Sequence, residues 1–363
     1  MSKPSIPTYF SDKPIMGLDI GSNTLKIVQL SETASKSISS NRLPAVKGYG
    51  YVSFDKSAIQ DGVIVKPEEI ASAAKELLAN KIKGKINTNR VAMAVPAYRT
   101  FTRSVKLPAL NSKQVKEAVE LEAEQYISLG LEELYLDFEI IKDAEESMEV
   151  FLVAVPKKIA DSYMQLAELL ELEVVALEPT LSASARLFSI DKHSRQPAVI
   201  IDFGAFSSDI SIYDRGIVVS GTIEGGGVNF TDLIKNLLNI SEAEAELAKT
   251  RYGITPSKKQ GEIKKALDPT LQKIIKEIKR MLRYYEERYG SDRPITQIVT
   301  FGGGANMPGL SDYLTDNLRM AVRHGDPWQF IDCKKVDAPI SSEKSMYTNA
   351  LGSALLSARE ATK

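Results

Sequence analysis

Asp19 and Asp202 each close an apolar run, IMGLD and AVIID, and each is followed by a turn of glycine and hydroxyl residues. At an offset of 183 residues, DIGSNTLKIV (19–28) and DFGAFSSDIS (202–211) match Asp19 with Asp202, Gly21 with Gly204, Thr24 with Ser207, and Ile27 with Ile210. Turns of this type aim backbone N–H groups at an anion. A carboxylate placed just ahead of them can orient a hydrated Mg²⁺. One such turn is an ordinary structural hairpin, but two in matching context read as a clamp able to cradle a phosphate chain from both sides. Gly21, Ser22, Asn23 and Thr24 would line one jaw, and Gly204, Ala205, Ser207 and Ser208 the other. Only the first copy ends in a cation, Lys26, which reads either as a point charge for phosphate or as a solvated strand residue. Asp209 closes the second copy.

These turns need strands to hold them. Ile15–Leu30 reads as strand, small turn and strand, and Ala198–Tyr213 repeats that device. Asp214-Arg215-Gly216 is a hairpin turn into a further strand, Ile217–Ile223. Residues 91–170 read as a self-contained β-α-β-β-α unit, with an amphipathic helix over Asn111–Leu129. Lacking a glycine-rich turn, that unit points to a ligand other than phosphate. Ser241 and Glu244 form a capping box ahead of a helix. Asp268-Pro269 reads as an N-cap and first turn of a helix reaching about Tyr289. Ile295–Phe301 is a buried strand that empties into GGGANMPGL (302–310).

Composition narrows the classes. A length of 363 residues allows two or three domains. Lys+Arg (46) and Asp+Glu (47) are balanced and interspersed, with a net charge of −1, which argues against duplex nucleic acid as a partner. One Cys and two His are too few for a structural zinc site. Cys333 reads as a half-buried small residue in a reducing compartment. No apolar run approaches the ~20 residues of a membrane span. The polar, proline-bearing start, residues 1–14, reads as a flexible leader of a cytoplasmic protein.

The two turns, with GGGANMPGL and VVALEPTLSASARL (174–187) in the same order along the chain, resemble the actin-like ATPase superfamily. The resemblance implies an α/β fold of two duplicated RNase H-like lobes around a nucleotide cleft, with an FtsA-type inserted subdomain. GGGANMPGL is similar to the adenosine motif, which brings in Gly302, Gly303, Gly304, Asn306 and Met307. SGTIEGGGVNFTDLI resembles the glycine run ahead of the upper-lobe helix, which adds Gly225, Gly226 and Gly227. EAEAELAKTRYGI resembles the helix that contacts ribose or base, which implicates Glu246 and Lys249; without the family, that is an ordinary surface pair.

Within the superfamily, GLDIGSNTLKIVQL and the segment from Arg99 to Ile141 resemble the PilM family of type IV pilus proteins. That family implies ATP with Mg²⁺ held mainly through water by Asp19 and Asp202. It also implies an inner-membrane PilN-like protein, whose cytoplasmic N-terminal tail would be held at the junction of the first lobe with residues 91–170. Pilus motor ATPases, and a homodimer or filament, are further partners it brings into view. The chain would lie at the inner face of the membrane through its partner. The lobes expected are 15–90 with 171–196 and 340–360, and 197–228 with 292–339, the latter carrying an upper subdomain over 229–291.

Hydrolysis needs a group that orients water. Glu178 matches the family's water-positioning acid and otherwise reads as a helix-start carboxylate; Asp209 is the second candidate. Two rival readings stand beside the pilus one. An FtsA-like division protein would end in a basic amphipathic membrane helix, and TNALGSALLSAREATK does not read as one. An exopolyphosphatase or sugar kinase would carry a Glu-bearing second turn, which DFGAFSSD lacks.

Overall fold

The computed structural model describes residues 14–31, 43–143, 146–190, 196–255 and 260–356. The leader expected over 1–14 thus lies outside the described residues apart from Pro14. The chain divides into two compact units, one comprising residues up to Pro96, Lys158–Asp191 and Pro327 onward, the other Ala97–Lys157 and Lys192–Asp326.

In the first unit a six-stranded sheet runs in the order Glu173–Pro179, Arg90–Val95, Met16–Ile20, Thr24–Leu30, Val46–Ser53, Lys83–Gly84. Met16–Ile20 and Thr24–Leu30 form an antiparallel hairpin, and Arg90–Val95 runs parallel to Met16–Ile20 on its other side. Every residue of Met16–Ile20 is buried, as expected of a central strand covered on both faces, so its sequence is a continuous apolar run instead of an alternation. Helix Thr348–Ala354 lies against this strand and against helix Thr180–Ser189. Two glycines permit the approach: a Cβ on Gly17 would stand 1.9 Å from the Ala350 carbonyl oxygen, and one on Gly352 2.0 Å from that of Ala183.

The second unit holds a five-stranded sheet in the order Ile217–Glu224, Ser207–Tyr213, Ala198–Phe203, Gln297–Phe301, Ala321–His324. Strand order and sense repeat those of the first unit: three antiparallel strands joined in sequence, then two parallel strands. The register repeats as well. Asp19 pairs with Lys26 and Ile20 with Leu25, while Asp202 pairs with Asp209 and Phe203 with Ser208. The offset of 183 seen in sequence therefore holds residue by residue across both hairpins.

The core of this unit gathers Phe203, Phe230 and Ile234 around a long helix, Gln260–Tyr289. That helix corrects the expected start at Asp268-Pro269, because Pro269 lies inside it. Ile263, Ala266 and Leu267 before the proline and Leu271, Ile274 and Ile278 after it are buried in one core. Shared burial carries the helix across a residue that removes one N–H donor. Asp268 caps nothing and instead accepts a 2.6 Å hydrogen bond from the Tyr313 hydroxyl.

The expected unit over 91–170 is smaller than its sequence suggested. Arg90–Val95 belongs to the large sheet, and Ser162, in helix Lys157–Leu169, accepts a hydrogen bond from the Ile64 N–H of the first unit. What remains is a three-stranded sheet in the order Phe101–Pro108, Ser147–Pro156, Leu134–Asp143, with helix Ser112–Tyr126 on one face. Val105, Leu107, Val115, Val119, Val150 and Leu152 form its core. Asn111 caps the helix in a capping box with Gln114. Within the second unit this insertion meets strand Ile217–Glu224 and helix Gln260–Tyr289. The Thr102 and Ser220 hydroxyls lie 2.8 Å apart, Ser104 donates to the Ile217 carbonyl at 3.0 Å, and Glu149 accepts from Arg288 and Tyr289.

Because Gly17 has no room for a side chain, Gly17→Ala is expected to lower stability by about 1–3 kcal/mol. Urea unfolding checks this, and an unchanged midpoint would contradict the packing described.

Candidate functional site

Cross-strand pairing in the first unit sets Glu178, Ala94, Asp19, Lys26 and Tyr51 in one row across the sheet. Paired residues share a face, so three charged side chains, Glu178, Asp19 and Lys26, line up at the carboxyl end of the parallel strands, where open α/β sheets place ligands. Asp19 and Lys26 are 5% and 6% exposed and joined by a 2.8 Å ion pair. Lys26 is thus no solvated strand residue. The turn above the pair is closed by the Gly21 N–H donating to the Thr24 carbonyl at 2.8 Å. A Cβ on Gly21 would come within 3.1 Å of the Lys26 ammonium, so glycine leaves the cation its place beside the turn. Asn23 is exposed at the tip, with Ser22 and Thr24 half-buried.

Glu178 lies near the end of strand Glu173–Pro179, immediately before Pro179, the N-cap of helix Thr180–Ser189. Its two oxygens accept from Arg186 at 2.8 and 2.6 Å, a bidentate pair, and Oε1 also accepts from Ser353 at 3.0 Å.

In the second unit, segments far apart in sequence meet. The Gly204 carbonyl accepts from the Gly227 N–H at 2.9 Å, and the Ala205 carbonyl from the Val228 N–H at 2.8 Å. Ser208 donates to the Gly225 carbonyl at 2.6 Å. A Cβ on Gly226 would stand 2.5 Å from the Gly204 oxygen, and one on Gly302, where φ is +84°, 2.3 Å from Oδ1 of Asp202. The Cα of Gly304 lies 3.7 Å from the Cβ position of Gly227. Lys249 donates to the Gly227 carbonyl, to Thr231 and to Glu246 at 2.7–2.8 Å. The turn 204–208, the run 225–227, the pair Glu246 and Lys249, and the run 302–304 therefore form one cradle of closely approaching backbone, with the N-terminus of helix Gly227–Leu238 in its wall.

Gly303 and Asn306 are exposed beside that cradle. Met307 does not join them: it is 5% exposed and packs in the core. At the foot of the cradle Asp202 lies directly opposite Asp209, and the Thr222 hydroxyl donates to Asp209 at 2.7 Å.

Asp202 and Asp209 thus set two carboxylates face to face across the hairpin. That donor set suits a hard divalent ion. Among the described residues no group of three or more His, Cys, Asp or Glu could hold a metal, so Mg²⁺ here would draw its remaining ligands from water and phosphate, as it commonly does. Asp19 is already answered by Lys26.

Sequence reasoning missed Arg186, Ser353 and Thr222. Arg186 sits within LSASARL, eight residues from Glu178, on a helix whose buried residues gave the visible signal. Ser353 is distant in sequence and carried no signal.

A duplicated sheet of this order, each copy opening with an acid-bearing hairpin turn, is the architecture of an actin-like ATPase fold. MreB 5 of Spiroplasma citri bound to AMPPNP matches with a TM-score of 0.53 and 15% identity, covering 94% of each chain. The ethanolamine utilization protein EutJ from Carboxydothermus hydrogenoformans matches with a TM-score of 0.55 and 17% identity, covering 97% of this chain and 91% of that one. The chain belongs to the type IV pilus assembly protein PilM family, whose family model matches residues 17–358. The structure of a PilM-PilN type IV pilus biogenesis complex matches with a TM-score of 0.79 and 23% identity over 95% of this chain and 98% of that one.

Removing one partner of a buried ion pair strands the other charge. Lys26→Met is expected to destabilise the protein by about 3–5 kcal/mol, and Asp19→Leu combined with Lys26→Met to recover most of that loss. Thermal or denaturant unfolding of both variants checks it; a double variant no more stable than the single would contradict the pairing.

Proposed function

We propose that this type IV pilus assembly protein binds ATP with Mg²⁺, turns it over slowly, and holds the cytoplasmic N-terminal tail of a PilN-like inner-membrane protein. The observation that carries the nucleotide reading is the cradle of the second unit. Four segments spread over residues 204–304 meet there, brought close where glycines without side chains let one backbone pass against another. In this reading Glu246 and Lys249 face ribose or base, and Gly302–Gly304 lie along the base. Asp19 and Asp202 are the acids proposed to orient the metal, mainly through water, Asp209 remains the second candidate for orienting water, and Lys26 with the turn 21–24 is directed at phosphate. Residues 101–156, which lack any such glycine turn, are the partner-binding segment. An extended tail there would gain affinity from main-chain pairing and specificity from side-chain pockets.

No helix among the described residues is long and apolar enough to cross a membrane; in this reading the PilN-like inner-membrane partner holds the chain at the inner face of the membrane. The chain would then link the membrane alignment complex to the cytoplasmic machinery.

Calorimetric titration with Mg·ATP is expected to show binding that Gly226→Ala and Lys249→Ala weaken about tenfold or more, a loss of ~1.4 kcal/mol each. Binding unaffected by both changes would reject the cradle as the site. Turnover is expected far below the ordinary enzyme median of ~10 s⁻¹, and a rate at that median would reject the slow-turnover reading. A peptide of the PilN-like tail is expected to bind the full chain and to lose affinity when residues 101–156 are altered on their surface; wild-type affinity in such variants would place the partner elsewhere.

A further inference from the structure

We propose that Arg186 is a built-in restraint on ATP hydrolysis, holding Glu178 away from the attacking water. The inference rests on the ATP-binding reading above and concerns what the first unit does with a phosphate at its hairpin turn. Glu178 stands in the row that contains Asp19, two strands away, or about 10 Å across the sheet. That span leaves room for a water between its carboxylate and a phosphate held at the turn.

In hydrolysis the water oxygen bonds to the terminal phosphorus as the bond to the bridging oxygen breaks. ADP departs, inorganic phosphate forms, and one water proton passes to an acceptor. Glu178 is a carboxylate in that row, and its acceptor capacity is committed elsewhere. Arg186 takes one position on each oxygen at 2.8 and 2.6 Å, and Ser353 takes another on Oε1 at 3.0 Å. Three of the roughly four acceptor positions of a carboxylate are therefore filled.

The restraint is itself anchored. Arg186 also donates to the Gly352 carbonyl at 3.1 Å, in the same helix as Ser353. Glycine at 352 is required there by the contact with Ala183, so guanidinium, serine and helix backbone form one rigid mount. A planar fork matched to both oxygens fixes the carboxylate's orientation as well as its position, which an ammonium would not do. Arg186 is thus a positioning residue, and its effect is to keep Glu178 from orienting water.

The test uses the full chain with Mg·ATP, reading single-turnover hydrolysis and ATP affinity in parallel. Arg186→Met is expected to raise kcat about tenfold or more, equivalent to ~1.4 kcal/mol of barrier, with ATP affinity within about twofold of the unaltered chain. Arg186→Lys, which keeps the charge but loses the fork, is expected to give a smaller rise. Glu178→Gln added to either is expected to return the rate to the starting value. If Arg186→Met fails to fold, Arg186→Lys and Ser353→Ala carry the test. Unchanged rates in folded variants that bind ATP, or a gain that survives Glu178→Gln, would overturn the restraint and leave a merely structural ion pair. An unaltered chain that binds no ATP would overturn the nucleotide reading together with this inference.

Discussion

The chemistry of both units hangs on hairpin register. In each hairpin the acid that ends the first strand lies opposite the residue seven positions later, after a turn begun by glycine. Because side chains alternate faces along a strand, a slip of one residue would turn Asp19 or Asp202 to the opposite face and dissolve the row. The register is held by the packing around it. Central strands buried on both faces cannot shift without exposing apolar side chains, and Gly17 and Gly352 bring helix Thr348–Ala354 so close that the sheet beneath it has no slack. A backbone fixed by sterics thus decides which ionic groups stand face to face.

Given the same backbone twice, the two units diverge in charge. The first compensates itself: Asp19 with Lys26, Glu178 with Arg186. Buried pairs of this kind add little net stability, since desolvation offsets most of the attraction, but they punish the removal of either partner. The second places Asp202 opposite Asp209, with the Thr222 hydroxyl donating to Asp209. The two hairpins differ at one pair of equivalent positions, Lys26 in the first and Asp209 in the second.

The duplication was legible in sequence because strand, turn and strand are local: AVIIDFG and IMGLDIG carry their own pattern, and Ser241 with Glu244 announces its cap within four residues. Elements decided by burial were less legible. Pro269 looked like a helix start, yet apolar residues on both sides of it share one core and the helix runs through. Arg90–Val95 looked like the first strand of the insertion, although its apolar run is what a parallel strand covered on both faces requires. Met307 sits inside a glycine motif but turns into the core.

By itself, then, the sequence determined which residues could bend, pair and carry charge: two acid-bearing turns, two glycine runs and their order along the chain. The tertiary structure alone decided which of them meet. The approach of Gly204 to Gly227 and of Gly302 to Asp202 spans tens to about a hundred residues, and the mount of Glu178 joins Arg186 to Ser353 across the length of the first unit. Such contacts are set by close packing of whole elements, and a linear pattern of residue types records the faces that pack but not their partners.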